Sequence, residues 1–332
     1  MIPTIAKAQK FSLPAYLFLA LLVSGCGGGG SETSPPAPQS NTTPAGAAKK
    51  RIGAVLPMFS HPFFVAQKKG LEEKAAELGF EIDIRDGQDD DLKQISQVEF
   101  LIQKGVDLLI LCPRDSEALV PAVEAANKAK IPVITLNRRV AGGEVVCYVG
   151  ADDRAGGVAQ GEALAKSLGA KGGKVIYLQG TQGSSPQRSR KEGLDEVLKK
   201  HPEIVIADSR FADFQEDKAK SMMTDLAQRF QPGQIQAIVA QADEMAVPAA
   251  EVASEKGWKG VIVIGFNGNR DGFEAIKAGK MSATVLQDAA VQGRKSVEAA
   301  HDHFSGKSLG KDIYTELPVV DSSNIDKYQP AY

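Results

Sequence analysis

Two consecutive phenylalanines, Phe63 and Phe64, close the stretch "PMFSHPFF" behind His61 and Pro62. Pro62 suits the first position of a helix, where its missing N–H costs nothing. Phe64, Leu71, Ala75 and Leu78 then share one helical stripe. Phe63 falls about 100° off that stripe. It either packs against the neighbouring loop or offers an aromatic face to the apolar side of a sugar ring or another flat ligand. Further along, "ITLNRR" carries Asn137, Arg138 and Arg139, and "SSPQRSRKEG" carries Arg188 and Arg190. An amide both donates and accepts, and a guanidinium is a planar fork, so these groups can grip adjacent hydroxyls or a carboxylate. Arg188 and Arg190 also fit an ordinary solvated helix start.

Several chemistries find no support. The four histidines, His61, His201, His301 and His303, show no metal spacing, since His301 and His303 on one helix point apart. Neither G-x-x-x-x-G-K-[ST] nor G-x-S-x-G occurs, and "GFNGNRDG" lacks the dinucleotide spacing. An enzyme would need a nucleophile or an acid–base pair, and only His61 and Cys112 stand at strand ends to supply one. The expectation is a binding protein that needs no metal and no cofactor. A formal charge of −2 without a long basic run removes the phosphate-neutralising field on which nucleic-acid binding depends.

With 332 residues, 43% of them hydrophobic, the chain can bury the cores of two domains without staples. From Arg51 short β-branched runs alternate with helical stretches: "RIGAVLPM", a helix to Leu78, "EIDIRD", a helix near 91–104, "DLLILCP", a helix near 116–129, "PVITLN" and "VVCYVGAD". A second series follows with "KVIYLQG", "IVIADSR", "AIVAQAD", "VIVIGFN" and "SATVLQD", separated by helices near 187–200, 215–230, 244–256 and 271–278. Such alternation predicts α/β architecture, two lobes of parallel sheet flanked by helices. Ligands of open parallel sheets lie off the carboxyl ends of the strands, and the loops there are rich in Asn, Gln, Arg and Phe. Cys112 ends the third strand and Cys147 lies in the fifth. A strand between them means a separation of about 9–10 Å, beyond disulfide reach, so both are expected to be free thiols.

The first residues read as an address. Lys7 and Lys10 precede the apolar "LPAYLFLALLVSGC", too short and badly flanked for a spanning helix. Within it Leu22-Val23-Ser24-Gly25-Cys26 resembles a bacterial lipobox, which implies a signal peptide over 1–26 and lipidation of Cys26, the alternative being ordinary signal cleavage with an incidental cysteine. Residues 27–50, rich in Gly, Pro, Ser and Thr, form a flexible tether. The expected location is extracytoplasmic, anchored to a membrane by the lipid.

Over nearly all of 51–318 the ordered series "HPFF", "CPRDS", "IPVITLNRR", "ADDRAGG", "LQGTQGSS", "QRSRKEG", "AQADEMA" and "IGFNG" resembles the periplasmic sugar-binding proteins of ABC importers, of the ribose-binding type. The resemblance implies two Rossmann-like lobes joined by a three-strand hinge, with crossings near 151, 287 and 316. One lobe would comprise 51–151 plus 288–316 and the other 152–287 plus 317–332. It implies ligand contacts at His61, Phe63, Phe64, Cys112, Asn137, Arg138, Arg188, Phe214, Ala242, Asn267 and Gln287. The implied partners are a sugar-like ligand and a membrane permease, with a chemoreceptor also compatible, and the implied state is a monomer.

In the ribose type the positions of His61, Cys112 and Ala242 hold asparagines, and those of Asn137 and Asn267 hold aspartates. The aromatics, arginines and glutamine are kept while five polar partners change, so ribose itself is doubtful. Two arginines facing two asparagines leave about two positive charges unmatched, which a dry cleft tolerates poorly. Three resolutions stand open: an acidic ligand such as an aldonate or uronate, counter-ions from Asp152, Asp213 or Asp243, or retained water around a neutral sugar or polyol.

Overall fold

The computed structural model describes residues 49–332. The segment read as a signal peptide, the lipobox-like Cys26 and nearly all of the stretch read as a tether lie outside the described residues. The first half of the chain runs β1 (Arg51–Leu56), α1 (Pro62–Glu77), β2 (Glu81–Asp86), α2 (Asp91–Lys104), β3 (Leu108–Leu111), α3 (Val120–Lys128), β4 (Val133–Leu136) and β5 (Cys147–Ala151). There follow α4 (Asp153–Leu168), β6 (Gly173–Gln179), α5 (Ser185–Leu198), β7 (Ile204–Phe211), α6 (Glu216–Arg229), β8 (Ala237–Ala240), α7 (Asp243–Glu255), β9 (Ile262–Asn267), α8 (Arg270–Lys277) and β10 (Ala283–Leu286). The chain ends with α9 (Ala289–Phe304), β11 (Asp312–Thr315) and β12 (Val319–Asp321).

Two six-stranded sheets form, ordered β11-β5-β4-β3-β1-β2 and β12-β10-β9-β8-β6-β7. All pairings are parallel except β10 with β12. The α/β reading from alternation holds, and both sheets reverse strand order beside their first strand, the point where such folds leave a crevice. The chain passes between the sheets three times, after β5, after β10 and between β11 and β12. Central strands β3, β4 and β8 are buried along their whole length, as near-continuous apolar runs require when helices cover both faces. Cys112 and Cys147 are free and buried, with β4 lying between their strands.

Three helices depart from the sequence pattern. α3 starts at Val120 rather than near 116, because Asp115 Oδ1 accepts from the backbone N–H groups of Glu117 and Ala118 and holds a turn there. α4 and α9, absent from the alternation above, present glycines and polar residues to their neighbours, so an apolar stripe is faint in each. Their glycines serve close approach. A Cβ on Gly157 of α4 would overlap the Arg190 carbonyl of α5, and one on Gly70 of α1 would overlap the Ala290 carbonyl of α9. Backbones in van der Waals contact leave no room for a methyl group.

Candidate functional site

The carboxyl ends of both sheets face one another across a cavity. From the first lobe come His61, Phe63 and Phe64 at the start of α1, and Asn137 and Arg138 after β4. The second lobe supplies Pro186 and Arg190 from α5, Asp213 and Phe214 after β7, Asn267 at the end of β9 and Gln287 after β10. Backbone bonds join the lobes beside it, from Ser116 N–H to the Gly183 carbonyl (3.2 Å) and from Arg139 N–H to Ser185 Oγ (2.7 Å). This is a closed arrangement. A wider outer cleft, lined by Ser60, Glu216, Asp217, Glu244, Arg270, Asp271 and Tyr332 among others, shares Met58, His61 and Phe214 with the cavity.

His61 caps α1, its Nδ1 accepting from Phe63 N–H at 3.2 Å. That fixes the ring proton on Nε2, which faces the Phe214 carbonyl of the other lobe at 3.2 Å. Phe64 does two jobs, joining the core stripe with Leu71 and Ala75 and also lining the cavity, while Phe63 packs edge-on against Phe64 (5.4 Å) and Tyr332 (5.8 Å). Phe63 therefore packs against its neighbours and also lines the cavity. The Arg138 guanidinium sits between Phe64 and Phe214, 5.3 and 5.5 Å from their ring centroids.

Four cavity residues hold left-handed backbone without being glycine: Asn137 (φ 61°), Asp213 (55°), Phe214 (60°) and Asn267 (105°). Such conformations cost about 1–3 kcal/mol each and persist only where surroundings over-determine them. At Asn137 they do. Its N–H donates to the Val149 carbonyl (2.7 Å) and its carbonyl accepts from the buried Tyr148 hydroxyl (3.0 Å). An amide chain continues from there across the lobes. Asn137 Nδ2 donates to Gln292 Oε1 (3.0 Å), Gln292 Nε2 to Gln287 Oε1 (3.0 Å), and Gln287 Nε2 to Asn267 Oδ1 (2.8 Å). It ends where Asn267 Nδ2 donates to Glu244 Oε2 (2.9 Å) and the Tyr332 hydroxyl donates to Glu244 Oε1 (2.5 Å).

Arg188 does not line the cavity. It is exposed, with a guanidinium that donates to the Gly183 carbonyl at 2.9 Å, and Arg190 points inward instead. The two lie about 200° apart around α5, so only one can face the site. The spacing that singles out Arg190 was present in the sequence, since Leu194 and Val197 follow it at four and seven residues and share its buried face. Cys112 and Ala242 are fully buried behind the cavity wall rather than in it. Burial pushes the Cys112 thiol up to about 12, so it is no thiolate nucleophile.

The charge expected to be unmatched is half matched, and by a residue outside the three candidates. Arg190 Nη2 meets Asp153 Oδ1 at 2.8 Å, and Nε reaches the same oxygen at 2.9 Å, both side chains buried. Burial nonetheless holds the Asp153 carboxyl above its usual range, against the pull of Arg190. Asp152 instead caps α4, Asp213 pairs with Lys218 (2.6 Å), and Asp243 accepts from the Gly268 and Asn269 N–H groups. Arg138 has no carboxylate partner among the described residues, and burial lowers its pKa from the ordinary guanidinium value.

A family model described as a periplasmic binding protein domain matches residues 52–308. The ribose import binding protein RbsB of Bacillus subtilis (strain 168) is 40% identical over 266 residues, covering 80% of this chain and 85% of that protein. A xylitol-binding protein of Mycolicibacterium smegmatis (strain ATCC 700084) is 32% identical over 86% of this chain and 80% of its own length. Among solved structures, a solute-binding protein of an ABC transporter from Mycobacterium smegmatis with bound glycerol superposes with a TM-score of 0.81. Its identity is 31%, over 86% of this chain and 99% of that one.

Proposed function

From the premise that this chain belongs to the periplasmic binding protein domain family, we propose that it is the solute-binding component of an ABC importer. It captures a monosaccharide-like ligand, a sugar or polyol, between its lobes, hands it to a membrane permease, and does no chemistry on it. The observation that carries this reading is the cavity between the lobes, in which aromatic faces from both sides flank guanidinium and amide groups. Rings that cover the apolar side of a sugar and forked donors that meet its oxygens are what such a ligand needs.

Phe64, Phe214, Arg138, Arg190, Asn137, His61, Asn267 and Gln287 form the ligand-facing set in this proposal. Closure is the mechanism. Contacts that only the closed state can make shift the open–closed population, and the permease reads the closed shape. The protein works outside the cytoplasm as a monomer, held to a membrane through a lipid on Cys26 and the tether over 27–50. The lipobox-like "LVSGC" supports that anchor.

Thermal unfolding against a panel of pentoses, hexoses, polyols and their acid counterparts tests the reading. A ligand at a hundred times its dissociation constant adds about 2.7 kcal/mol, which raises the midpoint by roughly 5 °C for a protein of this size. A panel without a single such shift would contradict the sugar-type assignment.

A further inference from the structure

The cavity holds a buried guanidinium without a carboxylate partner among the described residues, and from that we propose that the ligand is an acidic sugar derivative, an aldonate or uronate, whose carboxylate bonds Arg138. The inference rests on the sugar-type reading above and narrows it. Arg138 is 4% exposed and lines the cavity. Its Nη1 donates to the Arg114 carbonyl at 3.1 Å, while its Nε has no partner among the described residues. The Phe64 and Phe214 rings on either side ease a buried cation without neutralising it.

Neighbouring carboxylates are otherwise occupied. Asp153 holds Arg190, Lys218 holds Asp213, and Asp89 and Asp91 hold Arg114 at 2.8 and 3.1 Å. The pair on Arg114 lowers the local charge but offers Arg138 no acid oxygen to bond. Acceptors for a neutral polyol are also scarce. Asn267 Oδ1 and Gln287 Oε1 each spend one of two lone pairs on a neighbouring amide, Asn137 Oδ1 is open, and the Asp213 carboxylate in the lining is shared with Lys218. Every ligand hydroxyl brings a proton that must find an acceptor, whereas a carboxylate brings acceptors alone. In a cavity shielded from water, its charge-assisted bond to a guanidinium is among the strongest available. Of the acidic residues of the outer cleft, Glu216, Asp217 and Asp271 are exposed and screened by salt, so they slow an anion's entry more than they weaken the closed complex, while Glu244 is held by Asn267 and Tyr332 and Asp243 by the Gly268 and Asn269 N–H groups.

Calorimetric titration with matched pairs, xylonate against xylitol and glucuronate against glucose, decides it. The expected result is an acid that binds about tenfold or more tightly than its neutral partner, with most of that preference lost in Arg138→Gln. A preference that survives Arg138→Gln would overturn the role of Arg138. Neutral members that bind as well as or better than the acids would overturn the inference and leave the sugar-type reading intact; if no member binds, both fall. The wild-type comparison stands alone should Arg138→Gln fail to fold.

Discussion

Arg190 and Asp153 are both buried and lie within 3 Å of one another. Removing one partner strands the other, so Arg190→Gln should cost about 3–5 kcal/mol of stability at pH 7. The pH dependence has a definite sign. Burial already raises the Asp153 carboxyl above its unfolded value, and loss of the guanidinium raises it further. A carboxyl with a raised folded-state pKa favours folding most at low pH, and that contribution is lost as pH rises through the raised value. The deficit of Arg190→Gln should therefore shrink between pH 7 and pH 4 in urea unfolding, and a deficit independent of pH would contradict the pairing. The pair shows what one sequence leaves open. The arginines of "QRSR" were visible as candidates, but which one turns inward depends on helix phase, and phase depends on where Ser184 and Pro186 start the helix. Likewise "ADDR" offers two aspartates, and only the cap that Asp152 makes with Ala155 N–H frees Asp153 to face Arg190.

At the scale of elements, one glycine contact places an arm of the site. Gly157 lets α4 touch α5 at the Arg190 carbonyl, so the backbone that carries the buried guanidinium rests directly on α4. Gly157→Ala would gain about 1 kcal/mol of helix propensity yet force the two backbones apart, and overpacking of this kind costs typically 1–3 kcal/mol. The expected outcome is a lower unfolding midpoint together with weaker ligand binding, because Arg190 moves with its helix. An unchanged or raised midpoint would show that the helices are not locked. The strands and most helices were legible because apolar runs and amphipathic stripes state their own period. α4 and α9 were not, since a helix packed through glycines and glutamines buries its face without apolar residues to announce it. The late start of α3 was hidden for a different reason, a side-chain turn at Asp115 that competes with the helix.

At the scale of the molecule, strand order, crossings and the opposed carboxyl ends make one cavity whose walls belong to different lobes. His61 reaches the Phe214 carbonyl, Ser116 the Gly183 carbonyl and Arg139 the Ser185 hydroxyl, all across the gap. These bonds are weak singly, so closure depends on a ligand that bridges Phe64 and Arg138 on one side to Phe214 and Arg190 on the other. Tyr332 and Glu244, which buttress this seam, carried no sequence signal because their partners come from distant elements. The most direct test is small-angle X-ray scattering of the protein alone and saturated with the tightest ligand of the panel. A smaller radius of gyration on saturation, lost in Phe214→Ala at the same ligand concentration, is the expected result. Scattering that does not change at full occupancy would contradict capture by closure.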